Sequence, residues 1–552
     1  MEEGGEKRRK LDELERFRRR IPYTSASALS AVLQEVKRSG VPELDRRKDI
    51  KEARDASVGT ETEYGPVYAA VDLEPSIGHE ASRPKLNFIA PFALLSHLLR
   101  VCVSFGHFIE HLFEVKPPTA ADPWRVLLYS DEVTPGNQLL PSNDRKIQAV
   151  YWSFLEFAER LSDESVWFTW TAKRSSQLHK VSGGMSQIFG KLLHMLFIQE
   201  PFELGGVAFT LPSGRRIRIH AKLGFFIQDG GAHKLVWHTK GDSGMKFCLL
   251  CRNLFAMESV MGHADADGTI ICSATKVSDL DIATSAELKE AVRRIHACKP
   301  ISPAREQEIR EKTLGFSFMG YNILNDPVLD SVLEPAEQFM SDWMHCLFVG
   351  GVWNICLHMV LGALWADGIR DAYDSLFEYV QRWRFPKRLG NSKLHELFAK
   401  SRRKKNDEAM RFKCTASEGL SLYSIISVFL KVFGDRCAPA IRAYKSLCDV
   451  IDCLYLSSRG GVSPRQLQES VERFLDHYVG AFGVDHTTPK FHWLLHFPGF
   501  LQRFGVLIAC YVHERKHRML KRYCNDIRNT TSFEHSVLAE ALFFCVYCGC
   551  VI

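Results

Sequence analysis

The pattern of hydrophobic and polar positions divides the chain into segments with different predicted structure. Residues 86–115 are strongly apolar with helical spacing, which predicts buried helices interrupted near Pro91. Residues 123–172 instead contain three runs of aromatic and β-branched residues, separated by turn-rich sequence. These runs are WRVLLYSDE (124–132), KIQAVYWSFLEF (146–157) and VWFTWTA (166–172). Their composition predicts three strands in an antiparallel meander.

The segments that follow the meander favour a mixed α/β fold. Residues 183–199 have the spacing of an amphipathic helix, and residues 206–229 predict two strands around the turn sequence PSG. Residues 252 to about 490 are mostly helical in pattern. The order of these segments fits the ribonuclease-H-like fold, since three strands are followed by a helix, a strand region and more helix. The predicted fold class is an α/β ribonuclease-H-like core interrupted by a large all-helical insertion, with a helical N-terminal region.

The length of 552 residues exceeds one hydrophobic core, so about two to four domains or sub-domains are expected. The predicted division has five parts. They are a basic, flexible arm at 1–60, a helical N-terminal region at 61–120, the first part of the core at 121–251, the helical insertion at 252–490, and the final core segment at 491–552.

The overall composition is that of a soluble globular protein. Hydrophobic residues make up 46% of the chain and charged residues 25%. The net charge of +6 is compatible with nucleic-acid binding but does not by itself indicate it. The charged N-terminus gives no sign of a secretory signal. The sequence contains no uninterrupted run of eighteen apolar residues, so no transmembrane helix is expected. The cysteines, including Cys545, Cys548 and Cys550, are therefore expected to be reduced thiols in the cytosol or nucleus.

Two basic clusters lie in the N-terminal arm, KRRK at 7–10 and RFRRR at 16–20. Such clusters are typical of a nuclear localisation signal or of an arm that contacts DNA. A solvated helix of mixed charge is an equally good interpretation, because Glu residues are interspersed among the basic ones.

Two distant motifs together suggest a metal site. Cys248 and Cys251 form a C-x2-C pair, and His492 and His496 are spaced so that both imidazoles lie on one helical face. Two thiolates and two imidazoles make a tetrahedral Cys2His2 zinc site, which would join distant parts of one fold. The alternative is a reduced cysteine pair and two core histidines that are unrelated.

Three carboxylates are candidates for a catalytic centre. Asp131 follows the apolar strand VLLYS, and Asp229 follows LGFFIQ. Asp229 precedes Cys248 by nearly the same distance as Glu514 follows His496, so a metal clasp would bring Glu514 towards the sheet. Three converging carboxylates can bind two divalent metal ions and cleave a phosphodiester.

Each aspartate has a competitor nearby. Asp242 competes with Asp229, which is preferred because it follows a strand whereas Asp242 lies in a glycine-flanked loop. Glu132 is adjacent to Asp131, but side chains alternate between the faces of a strand, so only one of the two can face the metal ions.

Four motifs carry a resemblance to a known family. They are YSDE at 129–132, FFIQDGGAHKLVWHTKGDSGMKFCLLC at 225–251, SDWMHCLFVGG at 341–351, and KFHWLLHFPGFLQRFGVLIACYVHERKHRMLK at 490–521. Together they resemble DDE transposases with a ribonuclease-H-like core. The similarity is greatest to the CACTA, Mirage and Chapaev class and to the antigen-receptor recombinase catalytic subunit. The resemblance extends from about residue 120 to residue 540.

The resemblance implies the following site residues. Asp131, Asp229 and Glu514 would hold Mg²⁺ or Mn²⁺, and Cys248, Cys251, His492 and His496 would hold structural Zn²⁺. Asp342 and His345 would be a supporting pair within the insertion. The implied contacts to DNA phosphates are Lys516, Arg518, Lys521 and Arg522. For these four, the alternative is the polar face of an amphipathic helix.

The resemblance further implies a nuclear cut-and-paste DNA transposase, or a protein derived from one, that cleaves and joins DNA by two-metal chemistry. Its partners would be DNA and a second copy of the chain on paired DNA ends, with no membrane and no small-molecule substrate. Two alternatives stay open. One is a catalytically silent, domesticated protein that acts as a DNA-binding scaffold, and the other is a metal-dependent nuclease of the same fold.

Overall fold

The computed structural model describes residues 26–41, 46–136, 144–241, 244–252, 274–385, 393–527 and 531–547. The chain consists of two compact units, Met1–Ser57 and Val58–Ile552. The first unit contains helix α1 (Ala26–Ser39) and most of helix α2 (Arg47–Val58). The described part of the predicted flexible arm is therefore largely helical, and its two basic clusters lie outside the described residues.

A mixed sheet of seven strands forms the centre of the second unit. Its strand order is β11-β10-β5-β6-β7-β4-β3. The strands are β3 (Tyr68–Asp72), β4 (Lys85–Ile89), β5 (Trp124–Val133), β6 (Ile147–Phe154), β7 (Phe168–Arg174), β10 (Ala221–Gln228) and β11 (Phe339–Ser341). Two small hairpins, β1–β2 (Glu61–Thr62, Gly65–Pro66) and β8–β9 (Val207–Thr210, Arg216–Ile219), lie outside this sheet. The predicted mixture of α and β structure is confirmed.

The predicted antiparallel meander is also confirmed. Strand β5 pairs antiparallel with β6, and β6 pairs antiparallel with β7. Every residue of β6 is buried, which explains its lack of alternation between polar and apolar positions. Strands β10 and β11 then run parallel to β5. The carboxyl ends of β5, β10 and β11 consequently meet at one edge of the sheet.

Two boundaries differ from those predicted. The helical region expected at 61–120 also contributes β3 and β4, and β4 joins the sheet beside β7. The all-helical insertion expected at 252–490 contains β11, which pairs with β10. A strand of three residues is too short to show a period in the sequence, so the pattern could not reveal it.

Helices surround the sheet and fill the region between β10 and the C-terminus. They are α3 (Pro91–Val101), α4 (Val103–Val115), α5 (Met185–Leu193), α6 (Gly230–Trp237), α7 (Ser285–Cys298), α8 (Ala304–Leu314), α9 (Trp343–Phe348), α10 (Val352–Ala366), α11 (Ala372–Gln381), α12 (Lys400–Glu408), α13 (Ala416–Phe429), α14 (Ala438–Ser457), α15 (Pro464–Phe482), α16 (Pro489–Leu494), α17 (Phe497–Phe504), α18 (Tyr511–Asp526) and α19 (Phe533–Tyr547). Helix α18 contacts β5, and α19 packs on β7 and β4.

Some helices are long and apolar enough to cross a membrane. Trp343–Ala366 and Ala416–Phe433 could cross a membrane by length and composition, as could the bent pair α3 and α4 taken as one span. In the first segment, 67% of the most apolar window is buried inside the protein. Single polar residues such as Asn354 interrupt its apolar run in the sequence. The absence of a membrane-spanning helix stays a prediction.

The register between β10 and β5 depends on a glycine, and this supports a first testable prediction. The pairing shifts between Leu223 and Phe225. A Cβ atom on Gly224 would lie 3.0 Å from the carbonyl oxygen of Val126 and 3.0 Å from the Cβ atom of Arg125. We expect Gly224→Ala to lower the free energy of unfolding by about 1–3 kcal/mol, measured by urea denaturation.

The matched control is Gly499→Ala in α17, where an added Cβ meets nothing within 4 Å. Alanine favours a helix over glycine, so this variant should be as stable as the parent or more stable by about 0.5–1 kcal/mol. Equal unfolding midpoints for Gly224→Ala and the parent would show that β10 tolerates a side chain here.

Candidate metal centres at the carboxyl edge of the sheet

Three aspartates lie in one row at the carboxyl edge of three neighbouring strands. Ile227 of β10 pairs with Tyr129 of β5, so Asp229 and Asp131 lie two residues beyond the same register position. Gln228 pairs with Ser341 of β11, so Asp342 lies one residue beyond it and next to Asp229. Asp229 ends its strand as predicted. Asp131 lies within β5 instead, because β6 continues to pair with β5 as far as Val133.

Asp131 is mostly enclosed. Its carboxylate accepts hydrogen bonds from the Tyr129 hydroxyl at 3.0 Å and from the Glu132 backbone N–H at 2.6 Å. Burial, and then the negative charge of Asp229, raise the pKa of Asp131 to about 7, although the nearby His345 opposes the shift. The carboxyl group is therefore poised between its neutral and charged forms at neutral pH.

Glu132 faces the other side of β5. Its carboxylate forms an ion pair with Lys146 at 3.1 Å and accepts hydrogen bonds from Ser175 at 2.8 Å and Gln148 at 3.3 Å. Lys146 is therefore the counter-ion of the Glu132 carboxylate. The prediction that only one residue of the Asp131–Glu132 pair faces the candidate centre is thus confirmed.

Glu514 approaches Asp131 together with a histidine that the sequence interpretation missed. Ligand atoms of Asp131, Glu514 and His517 all lie within 4.8 Å of one another. The Nδ1 atom of His517 is 3.8 Å from Asp131 Oδ2 and 3.9 Å from Glu514 Oε2. Burial lowers the pKa of His517 to about 3, so its imidazole is neutral and can act as a metal ligand. The i, i+3 spacing of Glu514 and His517 on one helix was the available signal.

Helix α18 is fixed on the sheet by buried side chains. The His513 ring stacks on the Tyr129 ring with centroids 3.7 Å apart, and the Trp167 ring packs edge-on against the same His513 ring at 4.1 Å. Lys516 is buried, and its ammonium donates to the Glu164 carbonyl oxygen at 2.9 Å. The structure therefore does not support Lys516 as a DNA contact.

The other three proposed DNA-contacting residues differ in exposure. Arg518 and Arg522 are exposed, and Lys521 is half-buried. Arg522 lies 3.9 Å from the Asp526 carboxylate one turn further along the helix. These positions leave open both the interpretation as DNA contacts and the interpretation as the polar face of α18.

Asp229 is close to Asp131 but is not part of its close cluster. One oxygen of Asp229 accepts the Ala232 backbone N–H at 2.7 Å and so caps helix α6. Within the described residues, Asp229 lies outside the group of ligand atoms around Glu514 and His517. Its competitor Asp242 lies outside the described residues, as do Cys548 and Cys550.

Asp342 connects three elements. Its buried carboxylate accepts the backbone N–H groups of Met344 and His345 at the start of α9, both at 3.1 Å. It also accepts the N–H of Cys510, the residue before α18, at 3.0 Å, and it bonds to the His345 ring. Burial disfavours the imidazolium form of His345. The hydrogen bond to Asp342 and the charges of Asp342, Asp229 and Asp131 outweigh burial and raise the pKa of His345 to about 9. The expected Asp342–His345 pair is present, but it lies at the sheet edge and anchors α18.

The four predicted ligands of the Cys2His2 site also meet. The two histidines do not share one helix as predicted, because α16 ends at Leu494 and His496 caps α17. The sulfur of Cys251 is 3.5 Å from His492 Nε2 and 3.4 Å from His496 Nε2, and Cys248 Sγ is 3.4 Å from the latter atom. The two Nε2 atoms are 3.0 Å apart. A tetrahedral zinc ion with bonds of about 2.0–2.3 Å separates its ligand atoms by about 3.3–3.8 Å. This buried Cys2His2 cluster could therefore hold a metal ion such as zinc.

The electrostatics of the cluster suit a cation. Burial opposes ionisation of Cys248, but the hydrogen bond with Cys251 and the charges of His496 and His492 hold the pKa of Cys248 well below its usual range. The hydrogen bond to Cys248, together with burial, raises the pKa of Cys251. Both thiols can ionise together only if a positive charge lies between them.

No protein-family model matches the chain, and no curated protein matches it. The two clusters and their surroundings are consequently the features from which a function is inferred.

The Cys2His2 cluster supports a second testable prediction. Elemental analysis of the purified protein should find about one tightly bound metal ion per chain, and Cys251→Ser should lose it. Cys298→Ser, which alters a cysteine outside the cluster, should retain the metal ion. A parent protein purified without any bound metal ion would contradict the assignment.

The raised pKa of Asp131 supports a third prediction. A proton on this carboxyl competes with a metal ion below its pKa of about 7. The affinity for Mn²⁺, followed by electron paramagnetic resonance of the free ion, should rise about tenfold per pH unit up to about pH 7 and then level off. Asp131→Asn should bind weakly and without this rise, whereas Glu132→Gln should retain it. An affinity in the parent that is flat across this interval would contradict the prediction.

Proposed function

We propose that the protein is a DNA transposase, or a protein derived from one, that cleaves DNA with two divalent metal ions. The observation that carries the proposal is the meeting of Asp131 with Glu514 and His517, beside Asp229 in the adjacent strand. Asp131 and Glu514 are distant in sequence, and bringing two carboxylates together in a buried place destabilises their ionised forms. Such a convergence therefore indicates a functional site. The raised pKa of Asp131 reflects that cost.

The strand order supports a ribonuclease-H-like core. An antiparallel meander of β5, β6 and β7 is followed by β10 and β11, which run parallel to β5 on its other side. The first and second carboxylates come from β5 and from the end of β10, and the third comes from a helix after the long helical region. This arrangement is the one expected from the resemblance to DDE transposases.

The donor set suits two adjoining cation sites that share Asp131. Asp229 would complete one site, and Glu514 with His517 would complete the other. Mg²⁺ or Mn²⁺ ions bound there would activate a water molecule and stabilise the leaving oxygen of a phosphodiester. The neutral imidazole of His517 adds a nitrogen ligand, which suits Mn²⁺ better than Mg²⁺.

A structural zinc ion in the Cys2His2 cluster is part of the same proposal. Two of its ligands come from the loop after α6, and the other two are His492 in α16 and His496 at the start of α17, so the ion would join the two ends of the long helical region. DNA as the substrate, pairing of two copies on DNA ends, and a nuclear location follow from the resemblance. The net charge of +6 and the exposed Arg518 and Arg522 are compatible with DNA binding.

The proposal is tested by cleavage of supercoiled plasmid DNA in the presence of Mn²⁺ or Mg²⁺. We expect the parent protein to nick the plasmid and Asp131→Ala, Asp229→Ala and Glu514→Ala each to reduce the rate at least about a thousandfold. The matched control is Glu132→Gln, which removes a neighbouring carboxylate charge on the opposite face of β5 and should leave the rate nearly unchanged.

The assay also separates the alternatives. Cleavage by Glu514→Ala at the parent's rate would refute the proposed carboxylate set. A parent protein that binds DNA without cutting it would favour the silent scaffold protein. Cleavage without joining of the freed 3′-hydroxyl to a second DNA molecule would favour a nuclease of the same fold.

A further inference from the structure

A cavity of about 370 Å³ lies between the aspartate row and the Cys2His2 cluster. Its lining includes Asp229, Asp342 and His345 from the sheet edge and Cys248 and His496 from the cluster. Aromatic and aliphatic side chains form most of the remaining wall; they include Phe247, Leu249, Phe316, Phe339, Val349 and Trp493. Its volume is within the range of about 300–1,000 Å³ that is usual for small-ligand pockets.

One wall of the cavity is a flat aromatic ring next to the candidate centre. Trp493 lies in α16 between the two histidines of the Cys2His2 cluster and is half-buried. Its indole ring lies against Gly230, since a Cβ atom there would be 3.3 Å from the ring. Gly230 directly follows Asp229, so the indole ring lies beside the residue that adjoins a proposed metal ligand.

Positive charge in the same space comes from three lysines, Lys234, Lys246 and Lys490. Lys490 is half-buried, and its ammonium donates to the carbonyl oxygens of His345 at 2.9 Å and Val349 at 2.7 Å. These two bonds leave one N–H available for a ligand. Lys246 is half-buried and forms no ion pair with a carboxylate among the described residues. A half-buried ammonium without a carboxylate partner favours an anionic ligand.

We infer that this cavity accepts one unstacked nucleotide of a DNA substrate, with its base against Trp493 and its phosphate beside Lys490 and Lys246. The inference rests on the proposed function, and it adds where a single nucleotide lies relative to the cleavage centre. A nucleobase offers a flat apolar face to an aromatic ring, and the attached phosphate offers the negative charge that the lysines require. Lys490 faces the charges of Asp229 and Asp342, and Lys246 faces those of the Cys248 and Cys251 thiols. Metal ions held by these groups would leave both ammonium groups available to a phosphate.

The arrangement assigns a second role to the Cys2His2 cluster. Its ligand His492 lies in α16 and its ligand His496 lies just after that helix, and α16 carries both Trp493 and Lys490 into the cavity wall. A metal ion in the cluster would therefore fix the nucleotide-binding wall as well as join distant parts of the chain. The cluster and the carboxylate centre would then both contribute residues to the cavity that holds the same nucleotide.

The inference is tested by photochemical cross-linking. A short single-stranded oligonucleotide with one 5-iododeoxyuridine is bound to the full-length protein in Ca²⁺ and irradiated, and the cross-linked peptides are identified by mass spectrometry. Iodinated bases couple to aromatic rings that stack on them, so we expect the peptide containing Trp493 to carry the nucleotide. Trp493→Phe should retain the cross-link at this position, and Trp493→Ala should reduce it at least about tenfold.

Three controls make the outcome decisive. Trp383 is 42% exposed and lies away from the cavity lining, so its peptide should carry little cross-link. The metal content of Trp493→Ala should equal that of the parent, which shows that the Cys2His2 cluster is intact. Lys246→Gln should weaken DNA binding several-fold and reduce its dependence on salt concentration, measured by fluorescence anisotropy.

Failure of the inference and failure of the proposed function give different results. If the parent binds the oligonucleotide but cross-links only through other peptides, the cavity is not a nucleotide site and the proposed function is unaffected. If the parent binds no DNA at any salt concentration, both are refuted. A Trp493 cross-link that is unchanged by Lys246→Gln and by excess free nucleotide would show contact outside the cavity and would also refute the inference.

Discussion

The stacking of His513 on Tyr129 is the contact on which the position of Glu514 depends. Among the residues that the structure describes, neither ring nitrogen of His513 has a hydrogen-bond partner, and burial holds the pKa of His513 well below the usual range. The imidazole therefore serves as a flat, uncharged ring between Tyr129 and Trp167. Because Glu514 follows His513 directly and His517 lies one turn later, a shift of this stack would move both candidate ligands away from Asp131.

A second constraint acts at the beginning of the same helix. The Asp342 carboxylate accepts the Cys510 N–H and thereby ties the start of α18 to the end of β11. The strand β11 is in turn paired with β10, which ends at Asp229. The sheet edge thus fixes the distance between Asp229 and Glu514 through hydrogen bonds and stacking. The Cys2His2 cluster lies further away along the chain, at the other end of α17, so its influence on Glu514 is the less direct one.

The sequence was sufficient for features that depend on long, regular patterns. The meander was predictable because its aromatic and β-branched runs are long, and the four Cys and His ligands were predictable because their spacings are specific. Strand β11 was missed because three residues show no period. His517 was overlooked because a histidine on a basic helix resembles its neighbours, and Lys516 was mistaken for a surface residue because only the fold brings the Glu164 carbonyl to its ammonium. These features arise from contacts between residues that are distant in sequence.

The cavity changes how the Cys2His2 cluster relates to the candidate centre. If the cluster acted only through the position of Glu514, its loss would have to displace α18 through α17. The contacts of Asp342 and His513 hold α18 in place and would oppose that displacement. Helix α16 is a shorter route, because His492 directly precedes Trp493 and Lys490 lies in the first turn of the same helix. Loss of a cluster ligand should therefore release the cavity wall before it displaces Glu514. On the proposed function, such a defect would first impair the holding of a nucleotide, while the carboxylates themselves stay together.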